Sequence, residues 1–365
     1  MKRTTTFVCW FFLSASGIAQ TTDIRELKLR DWMPESTLSV KRTEIIKPVS
    51  PVIDVHNHLG AGRETLTEKT VQAYLRAMDD AGVQTVVNLD GGWGKQLVET
   101  LNALDRRHPK RFLTFALLDF SNIDDPDWTK REVSRLREGF EAGAKGLKFF
   151  KELGLGHRLA NKQLLPIDSP KLDPIWKLCA EYKRPVMIHT ADPAAFFRPL
   201  DDRNERWHEL NEHPDWLFHG KDFPSREELL AQRNRVIEKH PKTTFIGAHF
   251  GNNPEDLKTV GKWLDKYPNF YIDIDARINE LGRQPYTARR FFLKYQDRIM
   301  FGTDIEPNVS IYRTYYRFLE SDDEYWDTAE TLGRQGFWNV YGIFLPKPVL
   351  EKIYRTTAQR ILMSK

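Results

Sequence analysis

The sequence predicts an α/β fold: a (β/α)8 barrel of parallel strands with an N-terminal arm and two insertions at one rim. Three observations point there. Short apolar runs alternate with helix-length amphipathic segments until eight strands are counted. The first, fifth, sixth and eighth of these runs end in His or Asp, in VIDVHNH, PVMIHTAD, TFIGAHFGN and RIMFGTD. The length of 365 residues suits one barrel with insertions, about 250 residues being typical of the core.

The elements follow in order. Met1-Lys2-Arg3 is a basic start, Phe7 to Ala15 a short apolar run, and Gly17-Ile18-Ala19 offers small residues for cleavage before Gln20. This is the layout of a secretory signal peptide over 1–19, so export to a periplasmic or extracellular location is expected. Residues 20–50 are charged, Pro-containing and poorly periodic, and read as an arm over the outside of the barrel, which takes up 51–365. VIDVHNHL leads to EKTVQAYLRAMDDAG, with Gly82 as its C-cap. QTVVNLD, RFLTFALLDF, AKGLKFF, RPVMIHTAD, TTFIGAHFG and NFYIDIDA are each followed by a helical segment, and RIMFGTD is the eighth strand. The first insertion, Ala191 to Pro224, carries Phe196, Phe197, Trp207, Trp216, Phe218 and Phe223 and leaves from the strand ending in His189. A loop of that length is usually functional, and as a lid it would turn Trp207 or Trp216 towards the site; the alternative is that its rings only anchor it on the barrel. The second insertion, Ser321 to Phe344, precedes a last helix, PVLEKIYRTTAQRIL, and suits either rim cover or a subunit contact.

In such a barrel the strand C-termini form one rim, and that rim carries the chemistry. Side chains alternate along a strand, so strict alternation puts Asp54, His56 and His58 in the lumen and Ile53 and Val55 against the helices. The same parity turns Ile188 out and His189 in, and places Gly302 with Asp304 on the inner face. It leaves Lys148 on the inner face of strand four, between Leu147 and Phe149. Alone, the His-x-His is as well read as structural, His249 as a hydrogen-bonded core histidine and Asp304 as a helix cap; the conjunction at one rim is what is specific. Three imidazoles and one carboxylate suit zinc or another borderline divalent ion with room for water. On strand seven Asp273 and Asp275 alternate towards Arg277, a candidate clamp for a substrate carboxylate, although a structural salt bridge is the more usual role for such a residue. Arg63 and Glu306 are weaker rim candidates.

Composition limits the partners. There are 55 Lys and Arg against 51 Asp and Glu, for a formal charge of +4. Lys2 and Arg3 lie in the cleavable segment, so the remaining balance gives no sign of nucleic acid. No stretch approaches the ~20 apolar residues of a membrane span, so no stable membrane anchor is expected. Cys9 lies in the signal segment, which leaves Cys179 without an intramolecular partner. A small-molecule substrate is the expected partner, and a homo-oligomer is compatible with the sequence.

The His-x-His of strand one, His189, AHFG with His249 and FGTD with Asp304 resemble the amidohydrolase superfamily. More narrowly they are similar to its amidohydrolase-related branch of TIM-barrel enzymes, which includes decarboxylases such as aminocarboxymuconate semialdehyde decarboxylase, hydrolases and hydratases. The closing LEKIYRTTAQRIL resembles that branch's last helix, with Thr357-Ala358 where Asn-Ala is usual. The resemblance implies a divalent metal held by His56, His58, His189 and Asp304, zinc first among the candidates. It makes Asp304 and His249 the catalytic pair, with His249 alternatively a ligand of a second ion. Lys148 would pair with a substrate carboxylate or, carboxylated, bridge two ions. The expected activity is metal-dependent hydrolysis of a C–O or C–N bond of a small molecule. The alternative is metal-dependent non-oxidative decarboxylation of an unsaturated or aromatic acid. An intact ligand set argues against a binding protein without turnover.

Overall fold

The computed structural model of the chain describes residues 23–363; the expected signal peptide, 1–19, lies outside them. Eight strands pair in parallel in sequence order: β1 Val52–Asn57, β2 Val83–Asn88, β3 Phe112–Ala116, β4 Gly146–Phe149, β5 Val186–Ile188, β6 Phe245–Gly247, β7 Phe270–Asp273 and β8 Ile299–Met300. The ring closes where Val55 N donates to Phe301 O and Asp304 N donates to His56 O, both at 2.9 Å. The structure is thus a (β/α)8 TIM barrel. Its principal helices are α1 Glu68–Ala81, α2 Gly94–Leu101, α3 Trp128–Ala142, α4 Asp173–Glu181, α5 Arg226–Lys239, α6 Leu257–Lys266, α7 Pro285–Tyr295 and α8 Val309–Glu320.

Helix α1 shows how the sequence sets these elements. The Thr67 hydroxyl accepts from Thr70 N at the start. Val71, Tyr74, Met78 and Ala81 then recur at helical spacing and are buried on one face. Burying side chains such as Val71 and Met78 stabilises by roughly 1.5–3 kcal/mol each. Gly82 ends the helix at φ 78°, where an added Cβ would fall 2.8 Å from Pro48 Cδ.

Two apolar layers result. Val86, Phe112, Leu147, Ile188, Phe245 and Ile272 belong to the layer between strands and helices. Ile53, Val55, Val87, Phe115, Met187, Ile246 and Met300 form a second cluster inside the barrel, joined by Ala358 and Leu362 of the final helix. That helix contains a π turn, Lys352–Thr356, and Ile353 O within it accepts from Phe301 N at 3.0 Å, tying the end of the chain to the ring.

Strict alternation therefore fails on β1. Ile53 and Val55 lie inside the barrel rather than against the helices. Asp54 turns to the helix layer, where it accepts from Thr303 N at 3.2 Å and Thr303 Oγ1 at 2.7 Å. The pairing with β2 shifts register between Asp54 and Asn57, and this bulge returns His56 to the lumen next to Val55.

Residues 23–38 form a unit of their own with two single 3-10 turns, Ile24–Glu26 and Leu29–Asp31, the first capped by Asp23. Residues 39–50 belong with the barrel and run past the end of α8: Thr43 N and Oγ1 both donate to Asp323 at 2.6 Å, and Val49 N donates to Glu320 at 3.3 Å. At the strand C-termini the first insertion folds into short helical pieces, Ala194–Phe197, Trp207–Glu212 and Pro214–Trp216. The second packs against the segment after β7, with Thr328 Oγ1 donating to Asn279 Oδ1 at 2.7 Å.

Candidate metal centre

The His and Asp residues singled out at the strand ends meet at one end of the barrel. His56 Nε2 lies 3.2 Å and His58 Nε2 3.1 Å from Asp304 Oδ1. His249 Nε2 lies 3.2 Å from His189 Nδ1, and the His249 ring is tilted against His56 at 5.2 Å between centroids. Asp304 is one of several residues held in the left-handed region here: Ala191 (φ 63°), His249 (φ 55°), Phe250 (φ 59°), Asn252 (φ 53°), Ala276 (φ 50°) and Asp304 (φ 67°). Each lies just past the end of β5 to β8, and such conformations cost of order 1–3 kcal/mol apiece. The barrel holds them because their backbones are pinned. His249 N donates to Asp273 Oδ1 at 2.8 Å and to Asp275 Oδ1 at 2.9 Å. Gly302 makes room for the cluster: an added Cβ would lie 3.0 Å from the Cβ of His56 and 3.2 Å from that of Asp275.

Every one of the four imidazoles has a carboxylate behind it. Asp273 stands 3.0 Å from His56 Nδ1, Asp90 2.7 Å from His58 Nδ1, Asp192 3.3 Å from His189 Nε2 and Asp275 2.7 Å from His249 Nδ1. The first three of these contacts are hydrogen bonds and the fourth a close ion-pair contact; a carboxylate on one ring nitrogen favours the proton there and frees the other nitrogen's lone pair. The freed nitrogens are the ones that face Asp304 or each other. With metal–ligand bonds near ~2.1 Å, neighbouring ligands of a tetrahedral or octahedral ion lie about 3.0–3.4 Å apart, which matches these separations. The donor set fits a divalent cation.

The electrostatics agree. Burial works against the charge of Asp304, yet His56 and His249 hold its carboxyl well below the usual range. Burial opposes protonation of His56 too, but Asp275 and Asp304 raise its pKa well above that of a free imidazole. Burial and the neighbouring His249 push His189 down to about 3, so its imidazole is neutral at physiological pH. Lys148 is buried, 3.0 Å from His56 Nε2, in the field of Asp304, Asp275, Asp273 and Asp90; desolvation lowers its pKa and the carboxylates oppose that. The region attracts cations.

Of the expected ligands, His56 and His58 each touch Asp304, and His189 is paired with His249. Among the described residues, the group whose ligand atoms all lie within 4.8 Å of one another is His56, His249, Asp275 and Asp304; the expected ligands His58 and His189 fall outside it, and His249 and Asp275 stand in their place. Lys148 lies among these side chains, whereas Arg277 lines the open pocket.

That pocket, about 330 Å3, has His189, His249, Asp304 and Ala276 at its floor and Lys151, Asp192 and Arg277 on its walls. Phe196, Arg206, Glu209, Glu212, His213 and Trp216 of the first insertion and Leu332 to Gln335 of the second also line it. The first insertion thus covers the rim, with Trp216 against the pocket; Trp207 packs on His208 instead. Arg63 and Glu306 are not among the lining residues. Arg277 is 5% exposed, donates from Nη1 to Ala276 O at 2.7 Å and leaves Nε without a partner among the described residues.

The family profile described as Amidohydrolase matches residues 53–363. The chain belongs to the amidohydrolase family. Solved structures agree on the fold. A 2,6-dihydroxybenzoate decarboxylase from Rhizobium is 19% identical, with a TM-score of 0.52 over 86% of this chain and 99% of its own. A 5-carboxyvanillate decarboxylase from Novosphingobium aromaticivorans, solved with manganese and 4-hydroxy-3-methoxy-5-nitrobenzoic acid, is 15% identical, with a TM-score of 0.52 over 89% of this chain and 100% of its own. A 4-oxalomesaconate hydratase from Rhodopseudomonas palustris is 13% identical, with a TM-score of 0.50 over 85% of this chain and 95% of its own. No curated protein matches in sequence.

The supporting carboxylates were the least legible part of the site. Asp90 ends the second apolar run and Asp192 follows His189 by three residues, positions that signal a rim but not a partner. Asp273 and Asp275 stood out by their alternation, without any link to His56 and His249. Nothing in the sequence marked Arg206.

Proposed function

We propose that this protein is a metal-dependent hydrolase of a small, carboxylate-bearing molecule, cleaving a C–O or C–N bond. The observation that carries the reading is the set of four carboxylate-backed imidazoles clustered around Asp304 at the base of a charged pocket, two in contact with it and two paired beside it. His56, His58, His189 and Asp304 would hold the ion, with zinc the first candidate from the nitrogen-rich donors. When bound, the ion supplies Lewis-acid activation and brings the pKa of water towards neutrality. Asp304, kept anionic, accepts the proton of the attacking water at a carboxylate oxygen. His249, backed by Asp275 at Nδ1, takes that proton from Asp304 at its free Nε2 and passes it to the leaving group. Arg277, with a buried nitrogen that no protein group satisfies, binds the substrate's carboxylate. The two insertions exclude bulk water.

Decarboxylation is the second reading, favoured by the buried cations Lys148 and Arg277 beside the site and by the names of two structural neighbours. Zinc- and manganese-loaded protein incubated with small carboxylated esters, lactones, amides and aromatic acids separates the two. Hydrolysis transfers 18O from labelled water into product without carbon dioxide; decarboxylation releases carbon dioxide and incorporates solvent deuterium at carbon. Failure to bind any divalent ion would remove both. Export, resting on the N-terminal segment alone, would place the reaction outside the cytoplasm.

A further inference from the structure

The excursion over the pocket is tied down at two places of different character. At its base, Arg226 Nε donates to Asp192 O at 3.0 Å, and the same guanidinium reaches Asn253 Oδ1 at 3.0 Å, Asn252 O at 2.7 Å and Glu255 at 2.9 Å. This joins the two ends of the excursion through a buried side chain, as in a compact loop with closed ends. Within it, Phe218 N donates to Phe196 O at 2.8 Å and Asn204 Nδ2 to Ala195 O at 2.9 Å, so the segment is bonded to itself.

The far side is held by a crossed pair of salt bridges. Glu205 and Arg206 are neighbours in the excursion; Glu280 and Arg283 are one helical turn apart after β7. Glu205 accepts from Arg283 at 2.8 Å and 3.2 Å, while Arg206 donates to Glu280 and, at 2.6 Å, to Glu209. Trp338 of the second insertion lies under both guanidinium groups, 4.2 Å from Arg283 and 5.3 Å from Arg206 to its ring centroid. The two bridges differ in access to water. Glu205 and Arg283 are 48% and 27% exposed, Arg206 and Glu280 only 1% and 2%.

We infer that Glu205, Arg206, Glu280 and Arg283 are the latch of a lid: the excursion is anchored at Arg226 and opens at this far edge to admit substrate. Arg206 and Phe196 line the pocket, so the latched state is the covered one. A half-exposed ion pair is weak and exchanges readily with water, so opening begins at Glu205–Arg283. The buried Arg206–Glu280 pair, costly to leave unpaired, returns the lid to one position and makes Arg206 a positioning residue. The crossed arrangement rejects a slipped closure, since any shift that exchanged partners would set like charges together.

Amide hydrogen exchange of the full chain, read by mass spectrometry, tests this without metal or substrate. Glu205→Arg should speed exchange in peptides covering 194–223 by about tenfold, and Glu205→Gln by about threefold, with α1 to α8 unchanged. The double variant Glu205→Arg/Arg283→Glu should restore the original rate to within about twofold. In zinc-loaded protein, stripping of the ion by a chelator should quicken in the same order. Unchanged exchange in Glu205→Arg, or a charge swap that fails to restore it, would overturn the latch. Exchange that rises equally across the barrel in both single variants would make the bridge a structural strut and overturn it as well.

Discussion

Removing the carboxylate of Asp90 tests the metal centre without touching a ligand. Asp90 Oδ1 holds His58 Nδ1 at 2.7 Å, and Oδ2 accepts from Gly60 N at 3.0 Å. Asp90→Ala leaves His58 free to rotate and less basic at Nε2, the nitrogen facing Asp304. Loss of such a support costs about 10–100-fold in metal affinity, or roughly 1.4–2.7 kcal/mol. The His58 and Asp90 side chains are 31% and 24% exposed, so water replaces part of the hydrogen bond. The lower half of that range is therefore expected, about 10–30-fold. Asp90→Asn keeps an acceptor for Gly60 N and should cost less, about three- to tenfold. Competition for zinc against a chromophoric chelator measures both, with circular dichroism confirming the fold. Should Asp90→Ala bind zinc within about twofold of the parent, His58 does not hold the ion and the ligand set must be redrawn.

Three further outcomes follow from the same geometry. His56→Ala should lose metal and activity together, whereas His249→Ala should keep most of one bound ion while turnover falls by about 10²–10⁴, read by metal analysis and steady-state kinetics on one preparation. Gly302→Ala would press a methyl group against His56 and Asp275 and should lower both zinc affinity and the thermal midpoint, by about 1–3 kcal/mol in stability. Asp105, away from the site, has its pKa raised by burial from 3.8 to about 6. Its contribution to stability is complete below pH ~4 and is lost as pH rises through ~6, so Asp105→Asn should gain about 1.4 kcal/mol relative to the parent between pH 5 and 7.5 in urea unfolding. A constant difference between the two proteins over that range would show that the carboxyl is not desolvated.

Chain direction explains why so much of the rim was legible. A residue at the end of a parallel strand must arrive at the same rim as every other strand end, so His56, His189, His249 and Asp304 converge whatever lies between them. Which way a side chain turns is less secure. The bulge after Asp54 arises from pairing with β2, a relation absent from the β1 sequence, and it reversed the expected directions of Ile53, Asp54 and Val55. The partners of the histidines were hidden for another reason. An acid at a strand end has the same local signature whether it meets water, a helix or an imidazole, so Asp90 and Asp192 gave no sign of their roles. Arg206 sits in an irregular excursion, where no periodicity predicts burial.

The left-handed residues at the ends of β5 to β8 divide the pocket into parts with different capacities for change. A backbone at φ near +60° excludes β-branched side chains, and at His249 and Asp304 it also aims a functional group. The floor therefore tolerates few alternatives at His249, Ala276 or Asp304, and altering one disturbs the aim of the others. The roof carries less of this restriction: most of its residues sit in ordinary conformations on segments whose length the barrel does not dictate. Retargeting this enzyme, in the laboratory or through descent, would proceed by rewriting 194–223 and 321–344 over an unaltered floor, so that divergent specificities would share one set of strand ends.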